Sequence, residues 1–510
     1  MQFNVLSQQD ARGSFAFTGE AAGSDFADFL LGTPDTSSIA FGNADKYFRQ
    51  SVSDAFVTDD WRLSGSLTLN AGVRWEYEAP ITESYGRLVN LDIAPRFAAV
   101  APVVAGNAGN SLLHPDRGGI QPRISFAWRP VAASSLIVRG GYGVYRNTSV
   151  YQSIAIQMAQ QSPLSKSLSV QNTPANRLTL ANGFNTSPGI TPNTFAIDPN
   201  FRIGYAQTWQ LSVQRDLPAA LQVTAMYMGT KGTRLMQEFL PLTFPNGALN
   251  PCPACPTGYL YLSSNGNSNR HSGQIQLRRR LRSGLTASAQ YTFSKAIDNA
   301  PLMAGTQMLA LGQGGPAVAQ NWLDLKGERA LSNFDQRHQL TVQSQYTTGA
   351  GVRGGALLSG WRGAVFKEWT FAAQMTVGSG LPQTPTYPTA VRGTGVTGSI
   401  RPDTTGASIH AAPPGLRLNP AAYRAPAAGQ WGNAGRNSIT GPSQFDLNAS
   451  LGRTFPWGDR YNVDLRVDAR NVLNHVTFQS WNTTVTNVQF GLPYRPNPMR
   501  SLQTTLRLRF

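Results

Sequence analysis

The 510-residue chain is short of charge: Asp, Glu, Lys and Arg make up 14% of it, against about 25% in ordinary soluble proteins. That composition argues against a soluble α/β enzyme. Lysine is scarce, occurring only at positions 46, 166, 231, 295, 326 and 367, so arginine carries most of the +16 net charge. The arginines are dispersed, and their tightest run is Arg278, Arg279, Arg280 and Arg282. No zinc-finger spacing or RNA-binding aromatic signature accompanies them, so nucleic acid is not an expected partner. Long apolar runs are missing too. The longest, Phe97 to Gly106, is broken by Pro102 and falls far short of the ~20 residues a spanning helix needs. Met1 to Asp10 has neither a basic start nor an apolar core, so no signal peptide is expected in this chain.

Catalytic signatures are also lacking. There is no Gly-Lys dipeptide and hence no P-loop lysine, and no GxSxG nucleophile elbow. Two GxGxxG matches, Gly349–Gly354 and Gly393–Gly398, fall in an expected turn and a long loop. A dinucleotide site needs a strand before and a helix after, so both read as turn glycines. The five histidines (114, 271, 338, 410, 475) are far apart and lack the spacing of a helical zinc site. His338 reads as a hydrogen-bonding residue rather than a ligand. No catalytic residue, cofactor or metal site is expected, and the chain is not expected to be an enzyme. The two cysteines, Cys252 and Cys255, form Cys-Pro-Ala-Cys between prolines. A thioredoxin-like motif would need a βαβ context; a local disulfide stiffening a loop tip is the better reading.

Glycine and proline, by contrast, are abundant at 50 and 33 residues, and the apolar content of 41% is ample for burial. Apolar and polar residues alternate with the period of two that marks a strand with two different faces. Leu285, Ala287, Ala289, Tyr291 and Phe293 share one face of Leu285–Ser294, opposite Thr286, Ser288, Gln290, Thr292 and Ser294. The same alternation runs through Leu67–Glu76, Tyr461–Asp468 and Leu502–Phe510. It recurs at Ile124–Trp128, Leu136–Val144, Trp209–Val213, Val223–Tyr227, Ile275–Leu281, Leu340–Tyr346, Trp369–Val377 and Phe445–Leu451. Further strands are expected near Phe48–Thr58 and Ser14–Thr18. Several runs approach ten residues, the length of a transmembrane strand.

Connections alternate between tight and long. Tight turns fall near Ser64–Ser66, Pro130–Ser134, Asp216–Ala219, Arg282–Gly284, Gly349–Gly355 and Pro456–Asp459. Long loops lie between them, including Asn147–Tyr205, Lys231–His271 and Pro382–Gly441. Short inner turns and long outer loops are the grammar of an up-and-down outer-membrane barrel. Aliphatic and aromatic faces would meet lipid, and Trp61, Trp75, Trp128, Tyr145, Trp209, Tyr227, Tyr291, Trp369, Trp457 and Tyr461 could form interfacial girdles. A soluble β-rich carbohydrate-binding protein would use the same residues as sandwich core, but charge in the middle of long strands disfavours it.

Ordered landmarks carry a resemblance over nearly the whole chain. They begin with Asp28-Phe29-Leu30-Leu31-Gly32, Asp59-Asp60-Trp61-Arg62 and Pro122-Arg123-Ile124-Ser125-Phe126-Ala127-Trp128. Tyr227-Met228-Gly229-Thr230-Lys231-Gly232-Thr233, Asp335-Gln336-Arg337-His338 and Gly432-Asn433-Ala434-Gly435-Arg436-Asn437 follow, then Arg470-Asn471-Val472-Leu473-Asn474-His475. The set resembles the barrels of the TonB-dependent outer-membrane receptors of the Oar-like group. The resemblance implies an all-β, antiparallel up-and-down transmembrane β-barrel in the bacterial outer membrane. Residues 1–510 would be a single C-terminal portion of it, about 14 strands of the 22 at which such transporters close. Signal peptide, regulatory-like domain and plug would be absent from this chain. The implied function is uptake of a bulky solute such as a glycan, peptide or metal chelate, with TonB acting through a plug not encoded here. The implied surroundings are outer-membrane lipid and lipopolysaccharide. The terminal Phe510 resembles the signal by which such barrels are recognised for assembly. A second class keeps the barrel but uses its loops for structural or adhesive contact.

Overall fold

A computed structural model describes all residues except 1, 7–11, 18, 20–21, 23, 44, 94–99, 107–108, 149, 173–176, 185–190, 193–194, 240, 242–248, 250–251, 253–259, 301–318, 388–399, 428–429 and 459. The alternating segments become one antiparallel wall of thirteen strands. In chain order they are β1 (Val52–Ser64), β2 (Leu67–Glu78), β3 (Ile120–Trp128), β4 (Ile137–Arg146), β5 (Tyr205–Leu217) and β6 (Leu221–Phe239). There follow β7 (Leu260–Arg282), β8 (Leu285–Asp298), β9 (His338–Thr347), β10 (Thr370–Gly378), β11 (Gln444–Trp457), β12 (Tyr461–Arg470) and β13 (Ser501–Arg509). Each pairs with its neighbours in sequence order, an uninterrupted up-and-down meander. Among the described residues the two outer edges, β1 and β13, do not pair with each other, and every residue of both is exposed.

Turn chemistry sets the register at one end. Ser283 and Gly284 both take positive φ (53° and 76°) between β7 and β8, as a two-residue type I′ hairpin demands. In the three-residue turn Pro218–Ala220 between β5 and β6, Ala219 and Ala220 also take positive φ (62° and 59°). From these turns the register gathers most of the large apolar side chains on one face. Trp209 lies beside Gly229, then His271 and Lys295; one level inward, Leu211, Tyr227, Gly273 and Phe293 are aligned. Gly229 is glycine for a reason: a Cβ there would lie 2.3 Å from the Trp209 ring.

Two expectations are corrected. Ser14–Thr18 is not a wall strand. Among its described residues the strand is Ser14–Ala16, which pairs with Thr36–Gly42 in a separate four-stranded sheet; Thr18 lies outside the described residues, and three residues cannot span a bilayer that needs 9–11. Nor is Gly349–Gly355 a tight turn. The connection 348–369 carries a 3₁₀ turn (Val352–Gly354) and a short α-helix, Gly360–Phe366.

The opposite end holds the long connections, which pack into structure of their own. Helix α1 (Asp25–Leu31) ends at Gly32, whose φ of 65° gives the left-handed cap. Its Asp28 is buried and accepts from the N–H of Ala22 at 2.7 Å. Helix α2 (Tyr151–Ala159) buries Tyr151, Ile154 and Met158 with Phe48, Leu88 and Phe201. This apolar core lies among the outer connections, not in the wall. The helix Gly360–Phe366, α3, lies at the short-turn end.

Candidate functional site

The wall presents two unlike faces. On the concave one, cross-strand register assembles polar rows that no single strand reveals. Arg278, Ser288, Gln343, Gln374 and Asn448 stand side by side across five strands. One level towards the short turns runs a second row, Thr286, Gln345, Ala372, Ser450, Asp468 and Gln503. These rows line a trough of about 1160 Å³. Its middle is neutral, made of amides and hydroxyls that donate and accept equally well. Its flanks carry ion pairs: Arg280–Asp216 at 2.8 Å, Arg466–Asp468 at 2.7 Å and Arg509–Asp464 at 2.6 Å. Arg123 stacks on Tyr145, 4.7 Å from its ring centroid. Arg278, Arg280, Arg466 and Arg470 line the trough with a single carboxylate, Asp468, so a solute passing this face would meet hydrogen-bonding groups edged by a surplus of positive charge.

The convex face is apolar, with a polar fringe at the long-loop end. Tyr227 Oη and His271 Nδ1 lie 2.7 Å apart, and Tyr291 Oη and His338 Nδ1 are also 2.7 Å apart. His475 meets Phe445 edge-on. Three of the five histidines therefore sit in this outer aromatic band. Lys231, His271 and Lys295 are exposed along it, and the Arg337 guanidinium lies 5.6 Å from the Phe293 ring centroid. Nearby carboxylates turn inward. Asp298 is held by Arg436, and Asp335 accepts from the Ala296 N–H.

Above the wall a buried ionic network ties the outer connections together. Arg401 meets Glu328 at two points, Nη1 to Oε2 at 3.0 Å and Nη2 to Oε1 at 2.9 Å. Arg436 donates its Nε to the Glu328 carbonyl at 3.0 Å and its Nη2 to Asp298. Asn437 Nδ2 donates to the Leu331 carbonyl at 2.7 Å. The landmark Gly432–Asn437 is thus the clasp between two connections. Gly432 has no room for a side chain, since a Cβ would lie 2.0 Å from the Arg401 carbonyl oxygen.

Two outer carboxyls differ in character. Burial alone would raise Glu83, but the N–H groups of Arg87, Tyr47 and Tyr85 and the Arg87 guanidinium outweigh it and hold the group below its ordinary range. Glu238 is buried at the outer end of β6, and its Oε1 has no hydrogen-bond partner among the described residues. Burial pushes its carboxyl up to about 7.

Of the residues singled out in the sequence, Cys252 is fully buried beside Leu91 and Ala196 and is disulfide-bonded; Cys255 lies outside the described residues. Phe510 ends the edge strand and is 86% exposed. The glycine match 349–354 sits in the inner connection, and 393–398 lies outside the described residues. Among the described residues no three His, Cys, Asp or Glu side chains group as metal ligands. Sequence reasoning missed the amide rows and the Tyr–His pairs, because both depend on register across strands.

A family model for an outer membrane beta barrel domain matches residues 1–503. No curated protein matches the chain. Among solved structures, the chain is similar to the ferric-catecholate import receptor Fiu from K12 E. coli, at 12% identity and a TM-score of 0.43, covering 92% of this chain and 46% of that one. It is also similar to the outer membrane transporter YddB from Escherichia coli, at 11% identity and TM-score 0.47, covering 93% and 55%. The copper transporter OprC matches at 10% identity and TM-score 0.43, covering 94% and 50%. The chain spans about half the length of these structures.

Proposed function

The chain belongs to the outer membrane beta barrel domain family, and from that premise we propose that it is the barrel portion of a TonB-dependent receptor that imports a bulky solute. The observation that carries the proposal is the pairing of an apolar convex face with a wide, hydrogen-bonding concave face. A lumen lined by amides, hydroxyls and flanking ion pairs suits glycans, peptides or metal chelates, which offer many donors and acceptors. Thirteen strands with two exposed edges also suit a wall completed by further strands, since plugged outer-membrane transporters close at 22. Energy coupling would come through TonB and a plug outside residues 1–510. No step of this reading requires catalysis by the chain.

The test is uptake of labelled ferric chelates, oligosaccharides and oligopeptides by cells expressing the full-length gene, with and without TonB. Accumulation of one class that disappears without TonB supports the reading. Accumulation unaffected by TonB, or surface retention of cells with no accumulation of any class, would favour the second reading, a structural or adhesive barrel using its long outer loops.

The outward fringe of Lys231, His271, Lys295 and Arg337 further suits the phosphates of lipopolysaccharide. These basic side chains stand at the long-loop end of the convex face, and the nearby Asp298 and Asp335 are turned away. Anionic headgroups are drawn to such patches at about 1 kcal/mol per cation.

A further inference from the structure

Five of the six short-turn connections are eight residues or fewer; the sixth, 348–369, is not. It contains α3, and its apolar side chains face outward into solvent. Leu357 is 68% exposed, Trp361 70%, Val365 50% and Phe366 53%. A short segment that leaves four large apolar groups uncovered has a partner of matching chemistry.

The way α3 is fastened says which side of the wall it occupies. The Val365 carbonyl accepts two bonds, from Trp369 Nε1 and from Arg453 Nη1, both at 2.8 Å. Arg453 stands opposite Leu465 and alternates with Leu451 and Phe455 on the apolar convex face. Its guanidinium lies 4.7 Å from the Phe455 ring centroid and 5.9 Å from that of Trp369. The helix is therefore clamped to the lipid side of the rim, away from the lumen. Its exposed face continues into Phe371 and Leu451, the outward residues of β10 and β11. A soluble partner would have to share this strip with lipid tails.

The charge on the segment fits a headgroup surface. The segment carries three cations, Arg353, Arg362 and Lys367, and one carboxylate, Glu368, which pairs with Lys367 at 3.3 Å. Arg362 lies 5.6 Å from the Trp361 ring centroid. Trp with basic neighbours is the composition of a segment lying in the interfacial plane. We propose that 348–369 is a membrane-surface anchor on the inner rim, with Trp361, Val365 and Phe366 in the periplasmic leaflet and Arg362 and Lys367 on anionic phospholipid headgroups.

The test uses the chain in nanodiscs of phosphatidylcholine with or without phosphatidylglycerol. The emission lost in Trp361→Phe isolates the Trp361 signal, which should be blue-shifted, quenched by lipids brominated near the headgroup and protected from aqueous iodide. A nitroxide on Val365→Cys gives a second readout, because Cys252 is engaged in a disulfide. The label should collide more with oxygen than with a water-soluble nickel chelate, and more so when phosphatidylglycerol is present. Iodide quenching of Trp361 with no effect of brominated lipid, or a nickel-accessible label at 365, would overturn the anchor. Protection of both sites that persists in lipid-free detergent and needs an added periplasmic extract would overturn it in favour of a protein partner.

Discussion

Arg401 and Glu328, 73 residues apart, meet as a two-point pair in which the carboxylate is 1% exposed and the guanidinium 11%. Glu328 also accepts from the Gln320 N–H at 3.0 Å, and Gln320 in turn accepts from the Arg401 N–H at 2.7 Å. Removing Arg401 leaves the buried Glu328 with only the Gln320 N–H and the more distant Arg436 guanidinium, 4.0 Å away, and breaking such a buried pair costs up to about 3–5 kcal/mol. Arg401→Ala is expected to open the outer connections without loosening the wall. Hydrogen exchange should rise in 320–331 and 400–440 and stay unchanged in β9 to β11. Equal protection of both regions in the variant would show that the clasp is not a separate unit.

The wall was legible in the sequence because a strand between lipid and water writes its two faces in alternate residues. Twelve alternating segments, Leu285–Ser294 among them, fall on wall strands to within one residue, and Phe48–Thr58 overlaps the thirteenth from Val52 onward. What stayed hidden depends on partners far away in the chain. Arg436 and Asp298 are separated by 138 residues, so the landmark around Gly432 carried no visible reason. The amide rows were hidden for a related cause. Gln343 and Gln374 each look like one polar residue on one strand, and only the register makes them neighbours. Gly349–Gly355 reads as a tight turn because Gly349, Gly351 and Gly354 are turn residues, each with positive φ; helix α3, just beyond it, stayed hidden because no capping side chain marks its start.

Glu238 gives the outer connections a pH dependence of unusual sign. Its folded-state value of about 7 stands above its ordinary 4.5, so the folded chain holds a proton that the unfolded chain has lost between those values. Stability is therefore greatest at low pH, falls as pH rises through that window and levels off above about 7. The shift corresponds to roughly 3 kcal/mol. Glu238→Gln should remove the slope and stabilise the region at pH 8, read by protease cleavage of the outer connections against pH. A variant with the original slope would place the titration elsewhere.

The outward basic fringe predicts a specific lipid dependence. Replacing Lys231, Lys295 and Arg337 together with Gln should weaken retention of a diphosphorylated lipid A by roughly a hundredfold, at about 1 kcal/mol per cation. Native mass spectrometry of the detergent-extracted chain reads this directly. Lys326→Gln, away from the fringe, should leave retention unchanged. Wild-type retention that is the same for dephosphorylated lipid A would remove the phosphate from the explanation.

With two cysteines in the chain and Cys252 bonded, Cys255 is its expected partner. The closed loop is short, so the chain-entropy contribution is modest, about 2 kcal/mol. Without reductant, the denatured chain should take up no iodoacetamide, and with reductant it should take up two. Cys252→Ser should increase exchange locally around Leu91 and Ala196, which pack on it, and leave the wall intact. Uptake of iodoacetamide by the unreduced chain would rule the bridge out.

Phe510 closes the chain on an edge whose outward residues are Leu502, Leu506 and Leu508, each more than half exposed. No internal partner explains the aromatic ring: it is 86% exposed and lies past the last paired residue, Arg509. Its removal should therefore cost little intrinsic stability. If the ring is instead read by the assembly machinery, Phe510→Ala should reduce the folded protein in the outer membrane several-fold, while Leu502→Ala, on the same face and strand, should reduce it far less. Heat-modifiable migration of outer-membrane fractions measures both. An equal fall in the two variants would assign the effect to lost apolar area on the edge and not to recognition of the terminal ring.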